Sequence, residues 1–465
     1  MKKTLLLFVA ALLSVSFSAA QNPADIQISE QDIENHLTYL SSDNMMGRDT
    51  PSPQLDTCAA YIAEHFQSRG LVPAAENSFF QYFNVTRNTL AEPNAFALIE
   101  NDDTTRYRIK RDFVPVHLTA NRRITGEVVF VGYGITAPEY NYDDYAGISI
   151  KGKIALMFTN EPQEDDSTSI FEGTKRTEHS KLLTKTMNAV NHGAIGVVFV
   201  TSPNHPFRRP PNRWPSLMRH PLEDAIPLTL EEKMENKVVA MRIGKNTAEA
   251  ILSPTGLSME ELQKDIDSDL EPASRAIPGV RLSMQTTLKA NRQRTQNVCG
   301  LLPGSDPQLK EEVIIMGAHY DHVGAGNDTT IFNGADDNAS GTVGIMTLAG
   351  LFGSLETKPK RSLLFCAWSG EEKGLFGSRY YANSAPLVPL ENTAAYLNFD
   401  MIGRNDSGLV EISGMTTSPL FGTVLEKAND SIALQIEERP DISRSDHVPF
   451  FDHSIPVLGF FTGFH

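Results

Sequence analysis

Residues 313–368 contain the strand–helix–strand pattern that decides the fold, read in VIIMGAH (313–319), ASGTVGIMTLAGLFGSL (339–355) and SLLFCAW (362–368). The first and third segments are short apolar runs typical of buried strands, and the second has the length of a helix. Further along, the pattern predicts a helix in GLFGSRYYAN and strands in AAYLNFD and PVLGFF. Alternation of this kind predicts an α/β fold, with a mostly parallel sheet that is sandwiched by helices.

The segments before residue 291 have a different character. Two stretches near the start, ISEQDIENHLTYLSS (28–42) and LDTCAAYIAEHFQSRG (55–70), have apolar spacing near 3.6 and predict helices. Residues 78–116 are rich in strand-forming patterns. From residue 124 the chain shows short β runs such as GEVVFVGYGI and KIALMFTN, which predict a separate β-rich region. A length of 465 residues is compatible with two or three domains.

The first twenty residues predict an exported protein. MKK is followed by the apolar run TLLLFVAALLSV and by small residues up to Ala20, which is the pattern of a secretory signal peptide over residues 1–20. The apolar run is too short to span a bilayer, and no later segment is long and apolar enough. We therefore expect a secreted or periplasmic protein with no membrane span.

The charge of the chain argues against nucleic acid as a partner. Removal of residues 1–20 leaves 39 basic and 57 acidic residues, so the formal charge changes from −16 to −18. One basic stretch, PFRRPPNRWPSLMRH (206–220), is a proline-rich loop. We interpret it as a solvated surface loop, with contact to a substrate or partner as the alternative.

The three cysteines do not indicate a disulfide framework. Cys299 and Cys366 lie in apolar strand-like runs, where cysteine is usually a small buried hydrophobic residue. An odd count that also includes Cys58, with no short-spaced pair, argues against both a set of structural disulfides and a thiolate zinc site.

Acidic and imidazole side chains follow the ends of several predicted core strands. His319 and Asp321 end VIIMGAHYD, Glu371 and Glu372 follow SLLFCAW, and Asp400 ends AAYLNFD. In open α/β sheets, ligands bind outside the carboxyl ends of the strands. These side chains are therefore expected to meet at one edge of the sheet.

Two further segments add side chains of the same types. Asp336 and Asp337 come immediately before a predicted helix, where an aspartate such as Asp336 alone would be explained as a helix cap. His447 lies in a loop before the last strand. Two imidazoles and three carboxylates are the right number for two zinc ions that share one bridging carboxylate. Because adjacent residues point in different directions, one glutamate of the pair 371–372 could bind metal while the other faces a water molecule.

Five motifs together resemble the secreted co-catalytic zinc aminopeptidases, which include bacterial leucyl aminopeptidase and aminopeptidase Y. They are GAHYDHVG (317–324), NGADDNASG (333–341), WSGEEKGLFGS (368–378), LNFDMIG (397–403) and SDHVPF (445–450). The resemblance implies a catalytic domain of the zinc-peptidase type. It divides the chain into residues 21–123 as a helical N-terminal part of that domain, residues 124–290 as an inserted protease-associated (PA)-like domain, and residues 291–465 as the rest of the catalytic domain.

The resemblance also implies a role for each site residue. It assigns two Zn²⁺ ions per chain to His319, Asp337, Glu372, Asp400 and His447. Asp337 would bridge the two ions and Glu371 would be the general base. Asp321 would orient His319 through its carboxylate, behind this metal ligand.

The function implied is hydrolysis of N-terminal residues from peptides with a free N-terminus, by a hydroxide bound to the two zinc ions. Three alternatives stay open from the sequence. They are a glutaminyl cyclase with a single zinc ion, another exopeptidase of the same fold, and a non-catalytic receptor-like module. The last alternative predicts lost ligands, whereas every ligand position of the family pattern is filled here.

Overall fold

The computed structural model describes residues 28–101, 103–174, 176–203, 228–230, 237–326, 330–405 and 408–464. The expected signal peptide at 1–20 and the basic loop at 206–220 lie outside these residues. The chain divides into two compact units. The first unit combines Met1–Val85 with Gln293–His465, and the second is Thr86–Arg292. No helix within the described ranges has both the length and the apolar character needed to cross a membrane.

The described helices are α1 (Glu30–Leu40), α2 (Pro53–Ser68), α3 (Leu182–Asn191), α4 (Lys245–Leu252), α5 (Met259–Asp269), α6 (Gly341–Ser354), α7 (Phe376–Asn383), α8 (Phe421–Asn429) and α9 (Val448–Asp452).

The described strands of the first half are β1 (Val72–Pro73), β2 (Phe80–Leu90), β3 (Ala95–Glu100), β4 (Asp103–Tyr107), β5 (Phe113–Pro115), β6 (Arg123–Phe130), β7 (Thr136–Ala137), β8 (Tyr142–Asp143), β9 (Ile154–Phe158) and β10 (Gly196–Val200). The remaining strands are β11 (Thr229–Leu230), β12 (Val239–Ile243), β13 (Arg275–Gln285), β14 (Leu288–Leu302), β15 (Val313–His319), β16 (Ser362–Trp368), β17 (Thr393–Phe399), β18 (Leu409–Ser413), β19 (Gln435–Arg439) and β20 (Val457–Phe461).

Helices α1 and α2 begin where serine side chains satisfy free backbone N–H groups. The Ser29 hydroxyl accepts a hydrogen bond from the N–H of Asp32 at 3.1 Å, and the Ser52 hydroxyl accepts one from the N–H of Leu55 at 3.1 Å. Pro53 occupies the first turn of α2, where its missing N–H has no cost. Both helices confirm the prediction from apolar spacing.

The sheet of the first unit has the strand order β2-β14-β16-β15-β17-β20-β18-β19, with β1 paired to β14. Strands β16, β15, β17 and β20 are parallel to their neighbours in this series, whereas β14 pairs with β16 and β18 with β20 in the antiparallel sense. The four parallel strands at the centre confirm the predicted mostly parallel α/β sheet.

Strand β16 shows why helices cover both faces of this sheet. Its alternate residues Phe365 and Ala367 belong to one hydrophobic cluster, to which α2 and α6 contribute buried side chains. Cys366 and Trp368 belong to a second cluster, together with Tyr381 of α7 and Phe450 of α9. Because all seven residues of the strand are buried, it reads in the sequence as a continuous apolar run.

The parallel register brings the ends of the central strands to one level. His319 at the end of β15 is paired with Trp368 at the end of β16, and Gly317 of β15 is paired with Asn398 of β17. The residues that follow these strands therefore leave the sheet at the same edge.

The second unit has its own sheet, in the order β4-β3-β13-β6-β9-β10-β12-β5. Strand β6 pairs with β9, β9 with β10 and β10 with β12, each in the parallel sense. The core of this unit includes Phe130, Leu156 and Val198. This unit begins at Thr86, whereas the inserted domain expected from the sequence begins at residue 124. Strands β3 and β5 pair with β13 and β12, so residues 95–115 pack with this sheet.

Candidate metal centre

The end of β15 carries a buried imidazole between two carboxylates. His319 is 1% exposed, and its Nε2 lies 3.3 Å from Asp337 Oδ1 and 3.3 Å from Asp400 Oδ1. Ligand atoms of these three residues all lie within 4.8 Å of one another. One histidine and two aspartates at this spacing are a donor set that suits zinc.

A second group of three forms beside the first. The Nδ1 of His322 lies 2.7 Å from Glu372 Oε1 and 4.0 Å from Asp337 Oδ2, and the three residues again offer ligand atoms within 4.8 Å. Because a carboxylate accepts, Nδ1 of His322 is the donor in the shorter contact. Asp337 belongs to both groups, with one oxygen directed to each.

His447 lies outside both groups. It is 5% exposed and precedes α9, and neither ring nitrogen has a hydrogen-bond partner of normal geometry among the described residues. Its ring lies against β20, so a Cβ at Gly459 would be 3.0 Å from its Cε1. Burial lowers the pKa of His447 to about 4, and the ring is therefore neutral near pH 7. Its role as a metal ligand stays a prediction.

The hydrogen bond of His319 selects the nitrogen that faces the cluster. Its Nδ1 lies 3.1 Å from the backbone oxygen of Asp321, which can only accept, so Nδ1 carries the hydrogen. The Asp321 carboxylate oxygen Oδ1 is farther away, at 3.7 Å. Nε2 is consequently the nitrogen that is available toward Asp337 and Asp400. The contact expected from the Asp321 carboxylate is therefore longer than a hydrogen bond, and the backbone oxygen of Asp321 is the nearer group.

The adjacent glutamates point to different neighbours. Glu372 accepts from His322; burial acts against ionisation, but this hydrogen bond lowers the pKa of Glu372. Burial, reinforced by the charges of Asp446 and Asp400, raises the pKa of Glu371 to about 9. The backbone N–H of Glu371 donates to Asp321 Oδ1 at 3.1 Å. The two side chains thus have opposite electrostatic environments.

The cluster as a whole contains more acid than base. Burial raises the pKa of Asp337 to about 6. Burial alone would lower the pKa of His319, but the charges of Asp400 and Glu371 raise it well above its usual value. Carboxylates packed this closely oppose one another's ionisation, and a bound cation relieves that repulsion. Donor types and excess negative charge both fit metal ions at this edge.

The backbone before α6 presents Asp337 in an irregular turn. Residues Ala335–Ser340 form a single π-type turn in which Asp337 and Asn338 have non-helical dihedral angles. The Asn338 side chain donates to the backbone oxygen of Phe399 at 2.9 Å and accepts from the N–H of Gly341 at 2.9 Å. It therefore joins the end of β17 to the start of α6. The Asp336 carboxylate accepts from the N–H of Gly403 at 2.7 Å through Oδ1, and so joins this turn to the segment after β17.

Arg48 is a buried residue that lies outside all of the sequence motifs described above. It is 1% exposed and follows α1 in a 3₁₀ turn at Asp43–Arg48. Its guanidinium donates to the backbone oxygens of Tyr320, Asn333 and Gly334, each at 2.8 Å, and also to that of Leu40. Arg48 thus holds together the segment after β15 and the segment before Asp337.

The residues around Arg48 extend this contact to the glutamate pair. Gly47 has φ +68° and could not carry a side chain, since a Cβ would lie 2.4 Å from the backbone oxygen of Phe332. Asp49 forms an ion pair with Lys373 at 2.8 Å, one residue after Glu372. The only sequence signal for this role is the Gly–Arg–Asp run between two predicted helices, and it does not reveal that the arginine is buried.

His322 was also missed, although it stands in the same HYDH segment as His319 and Asp321. Alternation along an extended segment would place His322 on the side opposite to His319 and Asp321, so it gives no signal for a position in the site. The family pattern instead directed the assignment of the second imidazole to His447.

Comparison with known proteins relates part of this chain to a known family. Residues 297–465 match the model of peptidase family M28. Leupeptin-inactivating enzyme 1 of Streptomyces exfoliatus is 36% identical over 162 residues, which are 35% of this chain and 34% of that protein. Leucine aminopeptidase 2 of Arthroderma otae is 32% identical over 193 residues, which are 40% of this chain and 37% of that protein. The chain therefore spans about two-fifths or less of the length of these curated relatives.

A solved structure extends the similarity of fold to most of the chain. The aminopeptidase from Aneurinibacillus sp. strain AM-1 has a TM-score of 0.50 and 20% identity, with 94% of this chain and 85% of that chain covered. This similarity shows an α/β fold over most of the chain, and within it residues 297–465 match peptidase family M28.

Proposed function

We propose that this chain is an exported, metal-dependent aminopeptidase that removes N-terminal residues from peptides. Two zinc ions per chain would be held at the carboxyl edge of the first sheet. His319, Asp337 and Asp400 would hold one ion, and Asp337 and Glu372 with a second imidazole would hold the other. His447 is the imidazole predicted by the family pattern, and His322 is the one that lies within the group.

The observation that carries the proposal is the position of Asp337 between the two groups. Its Oδ1 lies 3.3 Å from His319 Nε2, and its Oδ2 lies 4.0 Å from His322 Nδ1. A carboxylate whose two oxygens serve two adjacent donor sets is the element that a two-metal hydrolytic site requires. A single-metal site would need only one of these groups.

Zinc at this position would polarise the scissile carbonyl and lower the pKa of a bound water molecule. Glu371 would then act as the general base, because its carboxyl group lies beside the ligand residues and is not part of either ligand group. It would accept a proton from the attacking water and deliver that proton to the leaving amine nitrogen.

Asp321 would keep His319 in the correct tautomer. The backbone oxygen of Asp321 already accepts from Nδ1, which leaves Nε2 available as a ligand. A hydrogen-bond acceptor on Nδ1 also raises the basicity of a histidine that binds metal through Nε2. The excess of carboxylates would in addition favour a substrate whose free α-amine is positively charged.

Two further parts of the proposal concern the rest of the chain. The names of the relatives, leucine aminopeptidase 2 and leupeptin-inactivating enzyme 1, support peptides as substrates. We propose that residues 124–290, which lie within the second unit, form a PA-like domain. Export by a signal peptide at residues 1–20 completes the proposal.

The deciding experiment is hydrolysis of a panel of aminoacyl-p-nitroanilides, each prepared with a free and with an N-acetylated amine. The panel is run before and after chelation, and in parallel on Glu371→Gln. Glu391→Gln is the matched control, because Glu391 is exposed and lies outside the site. We expect activity that requires the free amine, disappears with chelator and falls at least ~100-fold in Glu371→Gln alone.

Metal content separates the remaining possibilities. Two zinc ions per chain by elemental analysis support the proposal, whereas one ion favours the glutaminyl cyclase type of site. Comparison of His322→Ala with His447→Ala identifies the second imidazole, since only the true ligand reduces the content toward one ion. Hydrolysis of the acetylated substrates would contradict an aminopeptidase.

A further inference from the structure

Two cysteines that are distant in the sequence lie directly opposite each other in the first unit. Cys299 of β14 is the register partner of Cys366 of β16 in an antiparallel pair. Both are 0% exposed and belong to the same hydrophobic cluster as Trp368 and Tyr381, so their side chains lie on one face of the sheet. Both cysteines are free thiols.

The backbone hydrogen bonds of Cys299 define the geometry of this pair. Its N–H donates to the backbone oxygen of Phe79 at 2.7 Å, and its carbonyl accepts from the N–H of Ala74 at 3.3 Å. Both groups therefore point away from β16. Cys299 and Cys366 form a non-hydrogen-bonded pair, in which the Cα atoms of opposite residues are ~4.5 Å apart and the side chains are closest. That separation lies within the range of ~4.4–6.8 Å that a disulfide can span.

We propose that Cys299 and Cys366 are a modification site that forms a cross-strand disulfide when the chain folds in the presence of a low-molecular-weight disulfide. One cysteine thiolate attacks glutathione disulfide and releases one glutathione thiolate, which leaves a mixed disulfide on the protein. The second cysteine thiolate then attacks the protein sulfur and releases the second glutathione. The two protein thiols lose two electrons and two protons, and one glutathione disulfide is reduced to two molecules of glutathione.

Burial determines when during folding this thiol–disulfide exchange can occur. Both thiols are inaccessible in the folded unit, and burial raises the pKa of Cys366 well above its usual value. Thiolates are the reactive species, so exchange is slow once the core has closed. The disulfide therefore forms during folding and is protected afterwards.

The disulfide would enclose a segment that contains part of the metal site. Residues 300–365 lie between the two cysteines and include His319 and Asp337. Cross-linking a long segment restricts the unfolded chain more than it changes the folded one. The expected effect is a higher melting temperature of the first unit with little change in the hydrolysis rate.

Cys58 provides an internal reference. It is also buried, but its sulfur lies 3.5 Å from the Met45 sulfur and no other cysteine belongs to its hydrophobic cluster. The structure therefore predicts one cross-link and one remaining thiol.

The test refolds the full, reduced and denatured chain in buffers with increasing ratios of oxidised to reduced glutathione. The product is alkylated under denaturing conditions, weighed intact and digested. We expect one alkylated thiol per chain, at Cys58, and a cross-linked peptide that joins Cys299 to Cys366. The oxidised form should melt at least ~3 °C above the reduced form. Native reduced protein treated with the same buffers should oxidise at least ~10-fold more slowly, because the thiols are buried.

Variants make each outcome decisive. Cys58→Ala should still form the cross-link, which excludes a disulfide that involves Cys58. Cys366→Ala and Cys299→Ala should each lose both the cross-link and the oxidation-dependent rise in melting temperature. Three alkylated thiols at every ratio, or only glutathione adducts in Cys58→Ala, would overturn the proposal.

Discussion

Both units of this chain bury charged groups, but the buried charges are balanced by different kinds of partner in each unit. In the second unit Asp144 and Lys185 are both 0% exposed. The Asp144 carboxylate accepts from the backbone N–H groups of Tyr133 and Ile135, each at 3.0 Å, and from the hydroxyl of Tyr142 at 2.8 Å. The Lys185 ammonium donates to the backbone oxygen of Tyr133. The chain itself supplies the donors and the opposite charge.

At the sheet edge of the first unit, the carboxylates outnumber the groups that could balance them. Asp337, Asp400 and Glu372 share two imidazoles, and the further hydrogen bond to Asp400 comes from the Ser445 hydroxyl at 2.6 Å. The comparison teaches that burial of charge alone does not identify a functional site. A cluster whose partners are all provided by the fold is structural, whereas one that lacks positive charge is prepared for cations.

Removal of the shared carboxylate should have the largest effect. Asp337→Asn takes a ligand from both groups, so we expect loss of both zinc ions and a fall in kcat/KM of at least ~1,000-fold, since metal ions supply several kcal/mol of transition-state stabilisation. Elemental analysis and p-nitroanilide hydrolysis measure the two effects. The neighbouring Asp336→Asn, whose carboxylate bonds the N–H of Gly403, is the control and should retain both ions. Full metal content in Asp337→Asn would refute the shared role.

Removal of the positive charge in the second unit should instead affect stability. Lys185→Met removes the positive charge that opposes the rise in the pKa of the buried Asp144 carboxyl, and the free energy of unfolding should fall by about 3 kcal/mol. Urea denaturation measures this loss, and zinc content should stay unchanged. The double variant Lys185→Met/Asp144→Asn should recover part of the stability. A zinc content that falls with Lys185→Met would contradict the separation of the two clusters.

Zinc removal should destabilise only the first unit, in which the carboxylate cluster lacks positive charge to balance it. Free zinc at 100 times its dissociation constant should add about 2.7 kcal/mol to the free energy of unfolding, provided that the unfolded chain does not bind it. Thermal melts with and without chelator measure the increment. The same increment in Lys185→Met would show that the second unit does not contribute to zinc binding. Equal melting temperatures with and without chelator would argue against a bound metal.

The smallest effect is expected at Arg48. Arg48→Lys keeps a positive charge but loses the planar group that contacts four backbone oxygens. Supporting residues of this kind typically contribute ~10–100-fold to metal affinity, so a competition titration with a chromophoric chelator should show a loss in that range. Arg379→Lys, at an exposed position in the same unit, is the control. An unchanged affinity with a lower melting temperature would mean that Arg48 has only a structural role.

Several features of the fold could be predicted because they depend on local sequence. The apolar runs ending at His319, Trp368 and Phe399 became parallel strands, and the polar residues after them meet at one edge. The different environments of Glu371 and Glu372 follow from their adjacency after a strand. The start of the second unit at Thr86 could not be predicted from the sequence. Residues 95–115 belong to the sheet of that unit because of strand pairing, which composition does not reveal.

The sequence by itself determined the class of fold and the chemistry of the donors, because apolar periodicity and side-chain types are local properties. Only the tertiary structure placed His322 beside Glu372, buried Arg48 behind the site and set Cys299 opposite Cys366. Each of these contacts joins residues that are far apart in the chain. Their proximity is a result of strand register and of helix packing, which no local pattern encodes.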